Sequence, residues 1–247
     1  DLCSSAANAF IHGAMLIESG AYDCVVVGGS EALSRFHYNG FRSLLILDPD
    51  SCRPFDSSRA GLNLGEGAAF VVLERESHAL ARGVQPLATL SGWGNACDAF
   101  HQTASSEEGI GAVLAMQAAL RRAGLQPTDI GYINAHGTGT PNNDASELAA
   151  VRSVFPTLPP LSSTKSATGH TTSASGSVEA VICLLALQHH FLPANLHWTS
   201  AMDEDFTPVL VPTPAPQLRH VLCNAFAFGG NDTALVFSQY DTAQSEE

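Results

Sequence analysis

Apolar residues recur along the chain with two different periods, and these periods predict its secondary structure. After Cys3, apolar side chains return every three or four residues as far as Gly20, which predicts an amphipathic helix with Cys3 in its first turn. The β-branched run at residues 23–27 predicts a buried strand. Residues 48–65 are rich in turn-forming residues and predict a long ordered loop.

The rest of the chain repeats this alternation of strands and helices. Strands are predicted at residues 68–74, 87–93, 131–135, 161–163, 221–226 and 233–237, and the glycine turn between the last two predicts a hairpin. A short helix is predicted after the strand at residues 68–74 and ends at residue 82, and longer helices are predicted over residues 107–123, 143–154 and 174–189. Strands that alternate with helices predict an α/β sheet that is covered on both faces.

Composition narrows the class of protein. A chain of 247 residues with 45% hydrophobic and 14% charged residues fits a globular protein with a large core. The net charge of −13 argues against nucleic acid or an anionic membrane surface as a partner. We find no apolar run as long as a membrane span and no signal segment, and so we expect a soluble protein.

The six cysteines are far apart and include no Cys-x-x-Cys pair, which argues against a zinc knuckle or a disulfide framework and favours a reducing cytoplasm. Cys24, Cys183 and Cys223 lie in apolar runs and are predicted to be buried. Cys3 differs because it lies at a predicted helix start, where free backbone N–H groups and the helix dipole stabilise a thiolate. We therefore interpret Cys3 as a candidate nucleophile, with a small buried residue as the alternative.

Three polar, glycine-containing segments follow Cys3 in the sequence. They are residues 134–141 (NAHGTGTP), 162–170 (SSTKSATGH) and 224–231 (NAFAFGGN). Together with Cys3, and in this order, they resemble the β-ketoacyl-acyl carrier protein synthases, the KAS I/II-like condensing enzymes of the thiolase superfamily. The resemblance extends from Cys3 to about Phe237.

This resemblance implies an α/β protein with the thiolase-like layered α/β/α/β/α fold. In the family the catalytic cysteine follows a complete N-terminal α/β segment, so we expect the N-terminal part of the first half to be absent from this chain. We expect residues 1–85 to be the remainder of the N-terminal half, carrying the nucleophile, and residues 86–240 to be the C-terminal half, carrying two histidines. Residues 241–247 are expected to form a tail.

The resemblance also implies the chemistry. Cys3 would hold an acyl group as a thioester, and the backbone N–H groups of Cys3 and Phe228 would stabilise an oxyanion. His136 and His170 would donate hydrogen bonds to the enolate that forms when a malonyl unit loses carbon dioxide. The expected reaction is a decarboxylating Claisen condensation with malonyl-acyl carrier protein, giving a 3-oxoacyl-acyl carrier protein in fatty acid, polyketide or polyene synthesis.

Two further groups of residues match family positions. Lys165 and Glu179 are expected to form a buried ion pair that holds the ring of His170. The other group comprises the substrate gate and the glycine that follows it: Phe226, Ala227, Phe228 and Gly229. Ala227 stands where the family usually has glycine, and if this position needs a positive φ, alanine costs on the order of 1 kcal/mol.

The expected partner is an acyl carrier protein, loaded with acyl or malonyl groups, and four arginines are candidates for its docking patch: Arg35, Arg42, Arg53 and Arg59. The strand at residues 23–27 is expected to form the edge of a homodimer, or of a heterodimer with a second ketosynthase-like subunit. The resemblance implies no cofactor, no catalytic metal, no nucleic acid and no membrane span.

Several alternatives remain open. One is a non-catalytic or truncated ketosynthase subunit that acts in assembly, and another is a biosynthetic thiolase-like acyltransferase. In the thiolase branch one of the two histidine positions is a cysteine, which this chain lacks. A hydrolase triad or a metal site could also use Cys3 with a histidine, but two equivalent histidines and a lysine fit both poorly.

Overall fold

The structure is a computed structural model that describes residues 3–241. Two segments lie outside the described residues: Asp1 with Leu2, and residues 242–247. The predicted tail, residues 241–247, is therefore described only at its first residue. Within the described range, none of the helices has both the length and the apolar character needed to cross a membrane.

Helices and strands alternate as the apolar pattern predicts. The helices are α1 (Ser5–Glu18), α2 (Arg35–Ser43), α3 (Glu76–Ala81), α4 (Ile110–Ala123), α5 (Pro141–Val154), α6 (Lys165–Thr168) and α7 (Ser175–His189). The strands are β1 (Cys24–Glu31), β2 (Gly67–Glu74), β3 (Ala88–Cys97), β4 (Tyr132–Asn134), β5 (Leu161–Ser162), β6 (Phe191–Leu192), β7 (Thr213–Pro214), β8 (His220–Ala227) and β9 (Asn231–Gln239). The pattern did not predict α2, α6, β6 or β7.

Five strands form a mixed sheet in the order β3-β9-β8-β4-β5. The predicted hairpin is confirmed, because β8 pairs with β9 in antiparallel register, and β4 runs parallel to both β8 and β5. Helix α4 packs on β3 and β9, while α7 packs on β8 from the opposite side. The prediction of a sheet covered on both faces is therefore confirmed for this sheet.

A second, two-stranded sheet of β1 and β2 lies beyond α1 and α7. The prediction that residues 23–27 form a buried strand is wrong in part, because Val27 is buried but Val26 is 65% exposed. Alternate side chains of β1 point to opposite faces, and within the described residues helices cover one face only. Cys24 is exposed for the same reason, contrary to prediction, whereas Cys183 and Cys223 are buried as predicted.

Small residues bring the starts of α1 and α7 together. The buried stripe of α1 contains Ala6, Ala7, Phe10 and Ala14 at helical spacing. An added Cβ at Gly176 on α7 would lie only 2.6 Å from the backbone nitrogen of Ala7. This close approach places the first turn of α1, which follows Cys3, against the first turn of α7.

Candidate active site

A cleft of about 260 Å³ opens between the start of α1, the turn after β4 and the β8–β9 turn. Cys3, His136 and His170 all line this cleft, although more than 130 positions separate the cysteine from the nearer histidine. The β8–β9 turn contributes most of the opposite wall, with Phe226, Ala227, Phe228, Gly229 and Gly230.

Cys3 is 4% exposed and lies immediately before Ser4, the N-cap residue of α1. The prediction that Cys3 lies in the first turn of the helix is therefore wrong by two residues. The expectation of a stabilised thiolate is also wrong, because burial raises the pKa of the Cys3 thiol to about 11. The charge of Lys165 and a hydrogen bond from the backbone of Phe228 lower this pKa by less than burial raises it. Cys3 is a neutral thiol at rest.

The β8–β9 turn holds the Phe228 backbone N–H, which donates a hydrogen bond to the Cys3 sulfur. Gly229 and Gly230 both have positive φ, at 87° and 74°, which glycine adopts at little cost. Ala227 is the last residue of β8 and does not have a positive φ, so the expected conformational penalty at this position does not arise.

Asn231 fastens this turn to the start of α1. Its side-chain oxygen accepts hydrogen bonds from Ser4 Oγ at 2.7 Å, from Asn8 Nδ2 at 2.9 Å and from Asn95 Nδ2 at 3.1 Å. One amide oxygen therefore joins α1, β3 and β9. This contact fixes where the Phe228 N–H lies relative to the Cys3 sulfur.

His136 follows β4 and is buried. Its Nδ1 accepts a hydrogen bond from Lys165 Nζ at 3.3 Å, so the neutral ring carries its proton on Nε2. Burial lowers the pKa of His136 well below its usual range, and the charge of Lys165 and the neighbouring His170 lower it further. His136 is therefore a neutral hydrogen-bond donor.

His170 reaches the same state through a different contact. Its Nδ1 accepts from the Thr172 backbone N–H at 3.2 Å, which again leaves the proton on Nε2. Burial, followed by the charge of Lys165, lowers the pKa of His170 well below its usual range. The rings of His136 and His170 lie edge to face with centroids 5.2 Å apart. Two neutral imidazoles thus stand side by side.

Lys165 and Glu179 form an ion pair that is almost completely buried, with the side chains 1% and 2% exposed. The expectation that this pair holds the ring of His170 is corrected, because the Lys165 hydrogen bond goes to His136. Burial raises the pKa of Glu179, while the charge of Lys165 counteracts that rise. The pair therefore fixes the tautomer of His136 directly and acts on His170 only through its charge.

Sequence reasoning missed two carboxylates that hold the histidine segments in place. Glu147 on α5 accepts from the backbone N–H groups of His136 at 2.8 Å and Gly137 at 2.7 Å, and burial raises the pKa of Glu147 to about 7. Glu147 lies on the same helical face as Asp144, Leu148 and Val151, all of which are buried. The sequence does carry a signal for this, because the spacing of Glu147 from the apolar residues predicts that it lies on the buried face.

The second missed carboxylate is Glu31 at the end of β1. It accepts from Thr172 Oγ1 at 2.5 Å and from Ser173 Oγ at 2.6 Å, just after His170. Burial alone would raise the pKa of Glu31, but the hydrogen bonds from Ser173 and Thr172 lower it. Glu31 therefore holds the segment whose backbone N–H orients the His170 ring.

The outer part of the cleft is aromatic. Phe228 stacks on Phe41 of α2 with ring centroids 6.2 Å apart, and Phe226 lies deeper, 5.9 Å from the ring of His136. Access to Cys3 from this side passes the Phe41–Phe228 stack. Within residues 3–241, no three His, Cys, Asp or Glu side chains are arranged to hold a metal ion.

Comparison with family models gives two adjacent matches. Residues 2–79 match the model described as beta-ketoacyl synthase, N-terminal domain, and residues 87–199 match beta-ketoacyl synthase, C-terminal domain. The chain is 38% identical over 250 residues to 3-oxoacyl-acyl-carrier-protein synthase 2 of Vibrio harveyi, covering 96% of the chain and 60% of the relative. It is 39% identical over 244 residues to nodulation protein E of Rhizobium meliloti, with the same two coverages. The chain thus spans about 60% of the length of these relatives.

The solved structures that this chain resembles are also ketosynthases. The ishigamide ketosynthase/chain length factor superposes with a TM-score of 0.91 at 35% identity, covering 97% of this chain and 59% of that chain. A ketosynthase in complex with its chain length factor from Xenorhabdus doucetiae gives 0.87 at 41% identity, with coverages of 96% and 58%. A beta-ketoacyl synthase from Burkholderia phymatum gives 0.92 at 34% identity, with coverages of 97% and 60%. The predicted thiolase-like layered α/β fold is confirmed.

Proposed function

The chain belongs to the β-ketoacyl synthase family, and we propose that it catalyses the condensation of an acyl group held on Cys3 with malonyl-acyl carrier protein. One observation carries this proposal. A buried thiol, a backbone N–H directed at its sulfur and two neutral imidazoles share one cleft. The product is a 3-oxoacyl-acyl carrier protein, made in fatty acid, polyketide or polyene synthesis.

The first step moves the acyl group to the cysteine. The Cys3 thiol loses its proton and its sulfur attacks the acyl thioester, whose carbonyl oxygen becomes negatively charged. The N–H of Phe228 and that of Cys3 itself stabilise this oxyanion. The bond to the carrier sulfur then breaks, and that sulfur takes up a proton. Because Cys3 is neutral at rest, its proton must leave as the new carbon–sulfur bond forms.

The second step creates the carbon nucleophile. The bond between the malonyl carboxylate and C2 breaks, carbon dioxide leaves, and the electron pair enters an enolate. The Nε2–H groups of His136 and His170 donate to the enolate oxygen, and both rings are neutral and hold the required tautomer. C2 then attacks the thioester carbonyl on Cys3. A carbon–carbon bond forms, the bond to sulfur breaks, and Cys3 regains a proton.

The two steps can be measured separately. We expect the His136→Ala and His170→Ala variants to accept an acyl group on Cys3 but to decarboxylate malonyl-acyl carrier protein roughly 100- to 1000-fold more slowly. The Cys3→Ala variant should not be acylated yet should retain decarboxylation. His12→Ala, on the exposed side of α1, is the matched control and should match the unmodified protein in both assays. If the His136→Ala and His170→Ala variants instead lost acylation and kept decarboxylation, this division of roles would be wrong.

Acylation of Cys3 also separates an enzyme from a non-catalytic assembly subunit, since the latter would not become acylated. A biosynthetic thiolase-like acyltransferase would condense two acyl thioesters without losing carbon dioxide. Release of labelled carbon dioxide from malonyl-acyl carrier protein therefore distinguishes the proposed reaction from both alternatives.

Free positive charge supports an acidic carrier protein as the partner. Arg53 and Arg59 are paired with carboxylates, at 2.8 Å and 3.7 Å, and so are withdrawn from the candidate docking patch. Arg35 and Arg42 are exposed on α2 and have no carboxylate partner among the described residues. The inner side of the same helix carries Phe41, which lines the cleft. A carrier docked on α2 would therefore lie beside the entrance.

Charge reversal tests this docking surface. The Arg35→Glu and Arg42→Glu variants should raise KM for acyl-acyl carrier protein and leave KM for a short acyl-pantetheine thioester unchanged, because only the protein substrate reaches the helix. Arg121→Glu on α4 is the matched control, since Arg121 is also exposed without a carboxylate partner among the described residues. Equal effects of the three substitutions would exclude α2 as the docking surface.

We also propose a dimer formed through β1. Within the described residues this strand pairs only with β2, so its other edge is free, and Val26 beside it is exposed. The second subunit is another copy or a ketosynthase-like partner.

The separate sheets formed before residue 75 and after residue 87 support the two proposed halves, residues 1–85 and 86–240. The unpaired cysteines support a cytoplasmic location. A monomer in light scattering would contradict the proposed homodimer.

A further inference from the structure

Asp232 is a buried carboxyl group directly behind the Phe228 turn. It is 3% exposed and is the second residue of β9, where it pairs with Phe226 on β8 and Ala96 on β3. Its side chain reaches the first turn of α4, where an added Cβ at Gly111 would collide with its Oδ2. The carboxyl group is therefore enclosed by the sheet and by the start of a helix.

A second carboxyl group packs against the same place. The Cβ of Asp98 lies 3.2 Å from the Cβ position of Gly111, and its Oδ1 occupies the space that a Cβ on Gly230 would need. Asp98 Oδ1 also accepts from the Phe100 backbone N–H at 3.1 Å. Among the described residues, Asp232 has no ion-pair partner and no side-chain hydrogen bond.

The electrostatics of Asp232 follow from these contacts. Burial, followed by the negative charges of Asp98 just after β3 and of Glu147 on α5, raises the pKa of Asp232 to about 8. From α4 the nearest group is Gly111, which carries no charge. At neutral pH Asp232 is therefore an uncharged acid, and ionisation would place a second negative charge against Asp98.

Asp98 also holds the turn that carries the oxyanion donor. Its backbone N–H donates to Gly230 O at 3.2 Å, and the Gly229 N–H donates to Gln102 O at 2.8 Å. Residues 98–102 therefore fasten the turn from outside. Repulsion between Asp98 and an ionised Asp232 would act on this attachment and move the Phe228 N–H away from the Cys3 sulfur.

We propose that Asp232 is a positioning residue that keeps the Phe228 turn in place only in its neutral form, so that acyl transfer to Cys3 is lost when this carboxyl ionises. The proposal rests on the proposed function and adds a pH limit to its first step. The second step depends on the two imidazoles rather than on Phe228, so decarboxylation should not share that limit.

The test compares the two half-reactions over pH 6.5–9.5. Acylation of Cys3 should rise up to about pH 8 and then level off to pH 9.5, because the loss of neutral Asp232 offsets the growing thiolate fraction of Cys3. Malonyl decarboxylation should show no such break near pH 8. In Asp232→Asn, which cannot ionise, acylation should keep rising above pH 8 because the Cys3 thiol ionises more readily there. Asp205→Asn removes an exposed carboxylate elsewhere and should still level off above pH 8.

The outcomes separate this inference from the proposed function. If Cys3 is acylated at a rate that rises steadily through pH 9.5, or if Asp232→Asn levels off above pH 8 in the same way, the role of Asp232 is refuted and the condensing function stands. If Cys3 is not acylated at any pH, the proposed function fails first. Should Asp232→Asn not fold, the comparison of the two half-reactions in the unmodified protein still decides, since a break near pH 8 in both half-reactions would refute the inference.

Discussion

Replacing Lys165 by methionine removes the charge from the most deeply buried ion pair in the described residues. Lys165 and Glu179 are 1% and 2% exposed, so the remaining carboxylate would have no solvent to replace its partner. Breaking a buried pair by removing one partner costs about 3–5 kcal/mol of unfolding free energy. Because burial already raises the pKa of Glu179, protonation will limit the loss, and we expect a value near the lower figure at pH 7.

A double-mutant cycle measures this cost. Urea unfolding of the unmodified protein, Lys165→Met, Glu179→Gln and the double variant should show two destabilised single variants and a double variant that recovers part of the loss, with a coupling of roughly 1–3 kcal/mol. Arg152→Met is the matched control, because the Arg152–Asp203 pair is solvent-exposed and its loss should change stability far less than the loss of Lys165 does.

The pH dependence of Lys165→Met follows from the pKa of Glu179. A raised pKa means that the folded protein holds this proton more tightly than the unfolded chain does. The variant should therefore be most stable below the unfolded-state pKa and should lose stability as the pH rises through the folded-state value. The unmodified protein should lose less, because Lys165 compensates the carboxylate.

The same substitution has a catalytic readout. Without Lys165, the Nδ1 of His136 loses its hydrogen-bond donor, and its proton is no longer confined to Nε2. Malonyl decarboxylation should fall more than acylation of Cys3. Additive unfolding energies in the cycle, or equal losses in the two half-reactions, would refute the reasoning.

Three other substitutions test the supports of the site. Gly20→Ala should cost about 1 kcal/mol, because Gly20 has a positive φ. Gly230→Ala should cost more, because Gly230 also has a positive φ and its new Cβ would collide with Asp98, whereas the space around Gly20 is open. Thermal unfolding measures the difference. Asn231→Ala should cost about 1–3 kcal/mol in urea unfolding and slow acylation, because three donors lose one acceptor. The pKa of Glu147 is raised to about 7, so the stability that this carboxyl contributes below pH 4.5 should be lost as the pH rises through 7. Urea unfolding at several pH values measures this loss. Glu147→Gln should be less stable but should not show that pH dependence.

Much of the fold could be predicted because its signals are local. The apolar periods located α1, α4, α5 and α7 and the β8–β9 hairpin, where burial of one face determines the pattern. Helix α2 was missed because its sequence, RFHYNGFRS, is mostly polar and only Phe41 on it is buried. Its N-cap, Ser34, accepts from the His37 N–H at 3.1 Å, but one such contact carries little information in the sequence.

The site was predictable where residue identity carries the chemistry. Cys3, His136 and His170 were selected by their segments, whereas the state of each depends on tertiary burial. The helix start near Cys3 favoured a thiolate, and burial outweighs that local effect. Glu31 reaches a segment more than 140 residues away, a distance over which no local pattern extends. Lys165 lies nearer to His170 in the sequence but contacts His136, because Ser163 donates a hydrogen bond to Gly137 O and so holds the two segments together.

A single-turnover experiment tests most directly whether one cleft performs both halves of the reaction. The protein is acylated with a labelled acyl group, free thioester is removed, malonyl-acyl carrier protein is added, and the label is followed on each cysteine by mass spectrometry. The account predicts that label is carried by Cys3 and leaves it at the rate at which labelled 3-oxoacyl-acyl carrier protein and carbon dioxide form. Label on the exposed Cys24 or Cys97 instead, or its release as a free acid with malonyl groups intact, would contradict the account.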